Sequence, residues 1–415
     1  MKKIPTGIKS FSKLKEENYY FVDKTLMIKD FLERGSEVTL VTRPRRFGKT
    51  INMSMMSEFF DITKDSKEIF KGTKIMDTPY VSEINQYPTI FISFADAKRD
   101  KVAVVSTIKM QILKQWKKYK YIFKGLDEFD LPIYQSLLKI LTQTEDGSLV
   151  GINDAIAFLM DKLQDYYHKE VMVFIDEYDT PIQQGHSKGF YNEVITFMRN
   201  FMSGGLKDNP ALAFGVLTGI LRVSKENLFS GLNNLVVNSV LDEKYSEYFG
   251  FTSDEVTAMA AYYGREDKLN ELREWYDGYL FGNREIYNPW SVANYFNNEC
   301  KPRPFWTNTS DNEIIREIMR TLTPEIADDL ILLMQGKHVQ TSLNMDVIYP
   351  RITDGADSIF SFLLMAGYLK PVKEAIETEI GTFMELALPN KEIRRVYNSE
   401  ILFWLKNTLD GNVME

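Results

Sequence analysis

Cysteine is almost missing from this 415-residue chain: Cys300 stands alone, so no intramolecular disulfide framework exists and a reducing compartment fits. Histidine is scarce too. His168, His186 and His338 are the three present, with no Cys or His cluster at ligand spacing, which argues against a zinc centre. Long apolar runs are also lacking. The longest, Ala211 to Leu221, is too short to span a bilayer. The start, Met1-Lys2-Lys3-Ile4-Pro5, carries positive charge but no apolar core of a signal peptide, so the default expectation is a cytoplasmic protein without a membrane partner. Basic excess is absent: the formal net charge is −8 and the pI about 5.3, which excludes a broad polynucleotide platform and leaves room only for a local basic patch. What the chain does have is 44% hydrophobic and 13% aromatic residues, enough for a large core divided among two or three domains.

The most informative stretch is Thr42-Arg43-Pro44-Arg45-Arg46-Phe47-Gly48-Lys49-Thr50. It follows the apolar run Val38-Thr39-Leu40-Val41 and precedes a helical pattern through Asp61. A strand, a turn ending Gly-Lys-Thr and a helix is how a P-loop cradles nucleotide phosphates: backbone amides and the Lys charge hold the phosphates, and the hydroxyl reaches Mg²⁺. The expected cofactors are therefore ATP or GTP, with Mg²⁺. Arg45, Arg46, Phe47, Gly48, Lys49 and Thr50 are the candidate phosphate-binding residues. The tripeptide alone is a weak signal. A second element, Val171-Met172-Val173-Phe174-Ile175-Asp176-Glu177, gives it context as a buried parallel strand tipped by two acids. There Asp176 is expected to act with Thr50 on the metal, and Glu177 to polarise the attacking water. The loop departs from G-x-x-x-x-G-K-[ST] at its first position, where Arg43 replaces Gly and Pro44, which follows, has no amide to offer. One reading has Arg43, Arg45 and Arg46 offset that lost donor electrostatically, on phosphate or on an acidic partner; the other leaves them as solvated charges.

Residues 1–250 alternate strand and helix patterns, predicting an α/β P-loop NTPase core with a parallel sheet and flanking helices. Strands are expected at Val38 to Thr42, Thr89 to Phe94, Val171 to Ile175 and Ala213 to Thr218. Residues 251–300 read as a small helical lid, with helices from Asp254 to Tyr263 and Glu266 to Trp275, and residues 301–415 as a further helical and winged-helix-like α+β unit. That last unit should carry helices at Asp311 to Leu322, Glu325 to Leu333, Ser358 to Met365 and Asn390 to Leu405, with a hairpin from Tyr368 to Val372 and Phe383 to Leu388.

Further residues are candidates by position. Thr218 ends a strand where a γ-phosphate would be sensed, and Arg222, a turn later, would neutralise charge in phosphoryl transfer; the alternative for Arg222 is a helix cap or a pair with Asp179. Asp179, before Thr180-Pro181, reads first as a helix cap. Tyr19-Tyr20-Phe21-Val22-Asp23-Lys24-Thr25 offers aromatic and apolar groups for an adenine, against a simple core role for Phe21. The run Lys114-Gln115-Trp116-Lys117-Lys118-Tyr119-Lys120 interleaves aromatics and charge as single-strand binders do, but is more commonly one solvated helix face. No guanine-reading Asn-Lys-x-Asp stretch is present, which favours ATP over GTP.

Arg43-Pro44-Arg45-Arg46-Phe47-Gly48-Lys49-Thr50, Phe174-Ile175-Asp176-Glu177-Tyr178-Asp179, Thr218-Gly219-Ile220-Leu221-Arg222, Trp275-Tyr276-Asp277-Gly278-Tyr279 and Tyr287-Asn288-Pro289-Trp290-Ser291 together resemble the bacterial predicted AAA-ATPase-like proteins, from about Ile4 to Ile401. Arg in place of the first loop Gly is that family's own form. The resemblance implies kinship with archaeal and signal-transduction P-loop ATPases, with a lid and a winged helix after the core, and often a C-terminal PD-(D/E)XK nuclease. The Glu-x-Lys matches here, Glu266-Asp267-Lys268 and Glu299-Cys300-Lys301, fall outside strand patterns, so the expectation is an ATPase module without that effector, whose partner would be a nuclease domain or another protein. The leading expectation is a slow ATP hydrolase acting as a conformational switch. The alternative is a non-hydrolysing nucleotide- or DNA-binding regulatory module.

Overall fold

The computed structural model describes residues 1–222, 228, 233–306, 313–379 and 381–399. Five strands, β1 (Val38–Thr42), β2 (Thr89–Ser93), β3 (Val171–Asp176), β4 (Leu212–Gly219) and β5 (Leu235–Asn238), form one parallel sheet in the order β2-β3-β4-β1-β5. β1 and β3 are buried along their whole length, which is why both read as unbroken apolar runs rather than alternations. Alternate residues still serve opposite faces. Met172 and Phe174 pack with helices Leu26–Arg34 and Lys49–Phe60, whereas Val171, Val173 and Ile175 join the larger core with helices Lys101–Lys118, Asp154–Tyr167 and Tyr191–Leu206. Each such side chain stabilises the fold by roughly 1.5–3 kcal/mol relative to exposure. The four strands expected from the sequence are present; β5, four residues long and only partly buried, is an addition.

The lysine-rich run after residue 113 lies on helix Lys101–Lys118 and just beyond it, and its aromatics point inward. Trp116 is buried against Phe123 and Tyr134 and donates its indole N–H to the Ala155 carbonyl (3.1 Å), while Lys118 pairs with buried Asp61 (2.6 Å). Its rings are therefore core, and the single-strand stacking surface drops out at this place.

Beyond the sheet, helix Ser253–Tyr263 opens with a capping box between Thr252 and Glu255. With helices Leu269–Tyr276 and Pro289–Asn297 it encloses an aromatic cluster of its own; the segment Glu266–Lys268, expected as helix, is a 3₁₀ turn. Between these helices stands a hairpin of β6 (Tyr279–Phe281) and β7 (Arg284–Ile286). Gly278, before β6, has φ +91° and a Cβ there would come within 2.2 Å of the Pro389 carbonyl oxygen, so only glycine fits.

The C-terminal unit holds helices Glu313–Arg320, Pro324–Met334 and Ala356–Met365 and an antiparallel sheet of β8 (Val339–Ser342), β9 (Lys370–Pro371), β10 (Ile376–Thr378) and β11 (Gly381–Ala387). The expected hairpin is β9 against β11, with β8 and β10 added. The final helix covers residues 391–399; the rest of its expected extent lies outside the described residues. The apolar core of this unit is continuous with that of the parallel sheet.

Candidate functional site

At the carboxyl end of β1 the chain turns through Arg46 (φ 71°) and Gly48 (φ 82°), and Gly48 starts helix Lys49–Phe60. The helix therefore presents its first amides and its positive dipole end to the turn. Lys49 folds back across it. Its ammonium donates to the carbonyls of Arg43 (3.0 Å) and Pro44 (2.9 Å). Burial lowers the Lys49 pKa, opposed by the charges of Glu177, Asp179 and Asp176.

Sheet order decides what faces this loop. β4 lies between β1 and β3, with Val41 beside Thr218 and Ile175 beside Leu217, so Thr218 stands between the loop and the acid strand. Asp176, with no solvent exposure, accepts from three hydroxyls: Thr50 (2.8 Å), Thr218 (2.7 Å) and Ser93 (3.1 Å). Burial raises its pKa, Glu177 adds to the rise, and the Thr218 and Thr50 hydroxyls and Lys49 oppose it. The next residue, Glu177, takes a left-handed backbone (φ 50°) and lines the cavity beside the loop, as Asp176 does not. Its amide donates to the Thr218 hydroxyl at 3.3 Å, so Thr218 bonds both residues of the acid strand's tip.

The other half of the loop faces inward. Arg43, fully buried, donates to the carbonyls of Thr42 (2.8 Å), Asn238 (3.0 Å), Ser239 (2.6 Å) and Lys244 (3.2 Å), and its guanidinium lies over the rings of Phe249 and Phe281. Burial pushes its pKa down to about 9, still on the charged side of neutrality. The electrostatic role on phosphate considered for Arg43 is thus corrected: it ties the loop to the end of β5 and the chain after it. Phe47 meets the β6–β7 hairpin edge-on, with centroids 4.8 Å from Tyr279 and 5.2 Å from Phe281. Pro44 packs on Gly367, where a Cβ would lie 2.8 Å from the proline ring. The two remaining arginines divide: Arg45 donates to Gln183 (2.6 Å), and Arg46 stacks on Trp290 of helix Pro289–Asn297, 4.2 Å from the ring centre.

A cavity of about 320 Å³ opens on this loop. Arg45, Arg46, Phe47, Gly48, Lys49, Thr50 and Glu177 are part of its lining, and Ile8, Phe21, Val22, Met259 and Trp290 are among the residues that give it apolar wall. Its size falls in the range of small-molecule sites. The N-terminal aromatic segment thus comes to the loop, held by Lys24, whose buried ammonium pairs with Glu255 (2.6 Å). Asp176 sits behind Thr50 rather than on the cavity wall. Two further candidates lie elsewhere. Arg222 is half exposed and 3.8 Å from Asp346, pairing neither with Asp179 nor with the cavity wall. Asp179 sits at the N-cap position of helix Thr180–Lys188 but makes no cap bond; it accepts from the amides of Ile220 (2.7 Å) and Leu221 (3.1 Å) and from the Tyr349 hydroxyl (3.2 Å). Ser93 was missed by sequence reasoning, although it lies within the second expected strand and ends β2 beside Asp176, and so was Trp290, which no local pattern connects to the loop.

The family model described as Predicted AAA-ATPase matches residues 5–229, more than half the chain and the whole of the loop, acid strand and β4. This chain belongs to that family. An uncharacterized protein in the vnfD 5′ region of Azotobacter chroococcum mcd 1 is 28% identical over 414 residues, covering 97% of this chain and 70% of that protein. A solved Signal Transduction ATPase with Numerous Domains, bearing a tetratricopeptide repeat sensor, from Pyrococcus horikoshii aligns with 94% of the chain at 11% identity and a TM-score of 0.27. The chain spans 45% of that structure's length. Among the described residues no helix is long and apolar enough to cross a membrane.

Proposed function

We infer that this AAA-ATPase-like protein binds ATP with Mg²⁺ and hydrolyses it slowly, using nucleotide occupancy as a conformational switch. The observation that carries the reading is the 2.8 Å contact between Thr50, the first-turn hydroxyl after Lys49, and the buried Asp176 at the tip of β3. A phosphate-loop hydroxyl and a strand-tip carboxylate in contact supply the hard oxygen donors that Mg²⁺ takes alongside substrate phosphates. No cluster of three or more His, Cys, Asp or Glu with metal-binding geometry occurs among the described residues, and a Mg²⁺ ion completed by phosphates and water needs none.

In this reading Lys49 exchanges its two loop carbonyls for phosphate oxygens, and the amides of the Arg46–Thr50 turn complete the cradle. Thr50 and Asp176 would hold the ion, whose chemistry is to neutralise charge on the transferring phosphate. Glu177, on the cavity wall, orients and polarises the water. Thr218 is a positioning residue that fixes the Glu177 amide and the Asp176 carboxylate together. Arg222 is assigned no contact with the reacting atoms, since its guanidinium stands beside Asp346. The apolar wall of Phe21, Val22, Met259 and Trp290 takes the adenine, and helices from residues 251–300 act as the lid.

The test is calorimetric titration of ATP with Mg²⁺ alongside a phosphate-release assay. Wild-type protein should bind and turn over slowly, Lys49→Ala should lose binding by two orders of magnitude or more, and unchanged affinity in that variant removes the reading.

A further inference from the structure

Glu392 lies in the first turn of the last described helix and is fully buried. Its carboxyl meets the first turn of helix Pro289–Asn297. The Ser291 hydroxyl is 3.0 and 2.9 Å from its two oxygens, and the Trp306 amide donates at 3.0 Å. Among the described residues no cation pairs with it. From the hairpin and the preceding helix it faces the phenols of Tyr279 and Tyr276; from the connector, the amides of Phe305 and Trp306. On its own helix Lys391 is turned outward to Glu274 (2.5 Å), and Arg395 covers the Trp275 ring at 4.6 Å.

The residue preceding Ser291 is Trp290, stacked on Arg46 of the phosphate loop and part of the cavity wall. A chain of direct contacts therefore runs from Glu392 through Ser291 and Trp290 to Arg46. We propose that Glu392 is a latch through which the C-terminal unit holds helix Pro289–Asn297, and with it the phosphate loop, so that releasing this carboxyl speeds loss of nucleotide from the cavity. The nucleotide part of the proposal rests on the ATP reading above; the mechanical part does not.

Burial pushes the Glu392 pKa up to about 8. The folded acid thus keeps a proton that the unfolded chain gives up at its ordinary carboxyl pKa. The latch is at full strength below that ordinary value and weakens as pH rises through about 8, because the charge then formed has no cation among the described residues to offset it.

The experiment has two readouts. Dissociation of ATP carrying a fluorescent ribose tag is measured for wild type, Glu392→Gln, Glu392→Ala and Ser291→Ala between about pH 6.5 and pH 8.5. Amide hydrogen exchange of residues 43–48 and 289–297 is measured on the same proteins without nucleotide. Wild-type dissociation should accelerate several-fold across that pH range; Glu392→Gln, an uncharged isostere, should keep the slow rate and lose the acceleration. Glu392→Ala and Ser291→Ala should dissociate about tenfold faster, with faster exchange in both segments. Equal exchange in all four proteins, or an equal pH response in wild type and Glu392→Gln, overturns the latch. If tagged ATP does not bind wild type, the ATP reading falls, and the exchange data alone decide the latch. Ser291→Ala removes a single oxygen and keeps the question answerable should Glu392→Ala fail to fold.

Discussion

The two halves of the phosphate loop contrast sharply in what they touch. Lys49, Thr50 and Gly48 look into the cavity and toward the acid strand, whereas Arg43 and Pro44 are sealed, and Phe47 at the cavity edge is packed, against chain that comes much later: the end of β5 and the residues after it, the β6–β7 hairpin and Gly367. The first half is a set of groups suited to phosphate and metal oxygens. The second is a mount. A loop built from glycines owes its shape to backbone freedom; here an arginine and a proline remove that freedom, and contacts with distant segments supply the shape instead.

If that division is right, substitutions in the two halves should fail differently. Lys49→Ala should lower ATP affinity by two orders of magnitude or more while the melting temperature stays near wild type, read by calorimetry and thermal unfolding. Glu177→Gln comes next: phosphate release should fall by ~100-fold with ATP affinity kept, and equal losses in both would assign Glu177 to binding rather than to water. On the mounting half, Arg43→Met leaves the carbonyls of Thr42, Asn238, Ser239 and Lys244 without their donor and should cost about 3 kcal/mol of stability in denaturant unfolding. Loss of nucleotide affinity with unchanged stability in that variant would break the comparison. Ser93→Ala should weaken the Mg²⁺ dependence of turnover by ~10-fold, since one of three hydroxyls holding Asp176 is gone. Arg222→Ala, at an exposed pair 3.8 Å long, should change stability by less than ~0.5 kcal/mol and turnover by less than about twofold.

Much of the first half was legible in the sequence, because its signals are local: Gly48-Lys49-Thr50 follow a strand, and Asp176-Glu177 cap another. The strands β1 to β4 were legible for the same reason, each being an apolar run bounded by polar residues. The mount was not. Nothing local reveals that Arg43 turns inward to carbonyls at and after the end of β5, since that depends on strand order, and the short, half-exposed β5 gives little periodic signal. Likewise Asp179 has the spacing of a helix cap, yet the amides of Ile220 and Leu221 reach it first because β4 lies beside β3. Trp116 looked like a stacking residue by its lysine neighbours; only the fold shows that those lysines straddle a buried face.

Pro44 resting on Gly367 has a further consequence. The glycine follows the buried helix Ala356–Met365, so the loop and the C-terminal unit share one bearing surface, the proline ring set against a residue that has no side chain. With a Cβ at position 367 placed 2.8 Å from Pro44, any substitution of this glycine is felt at the loop.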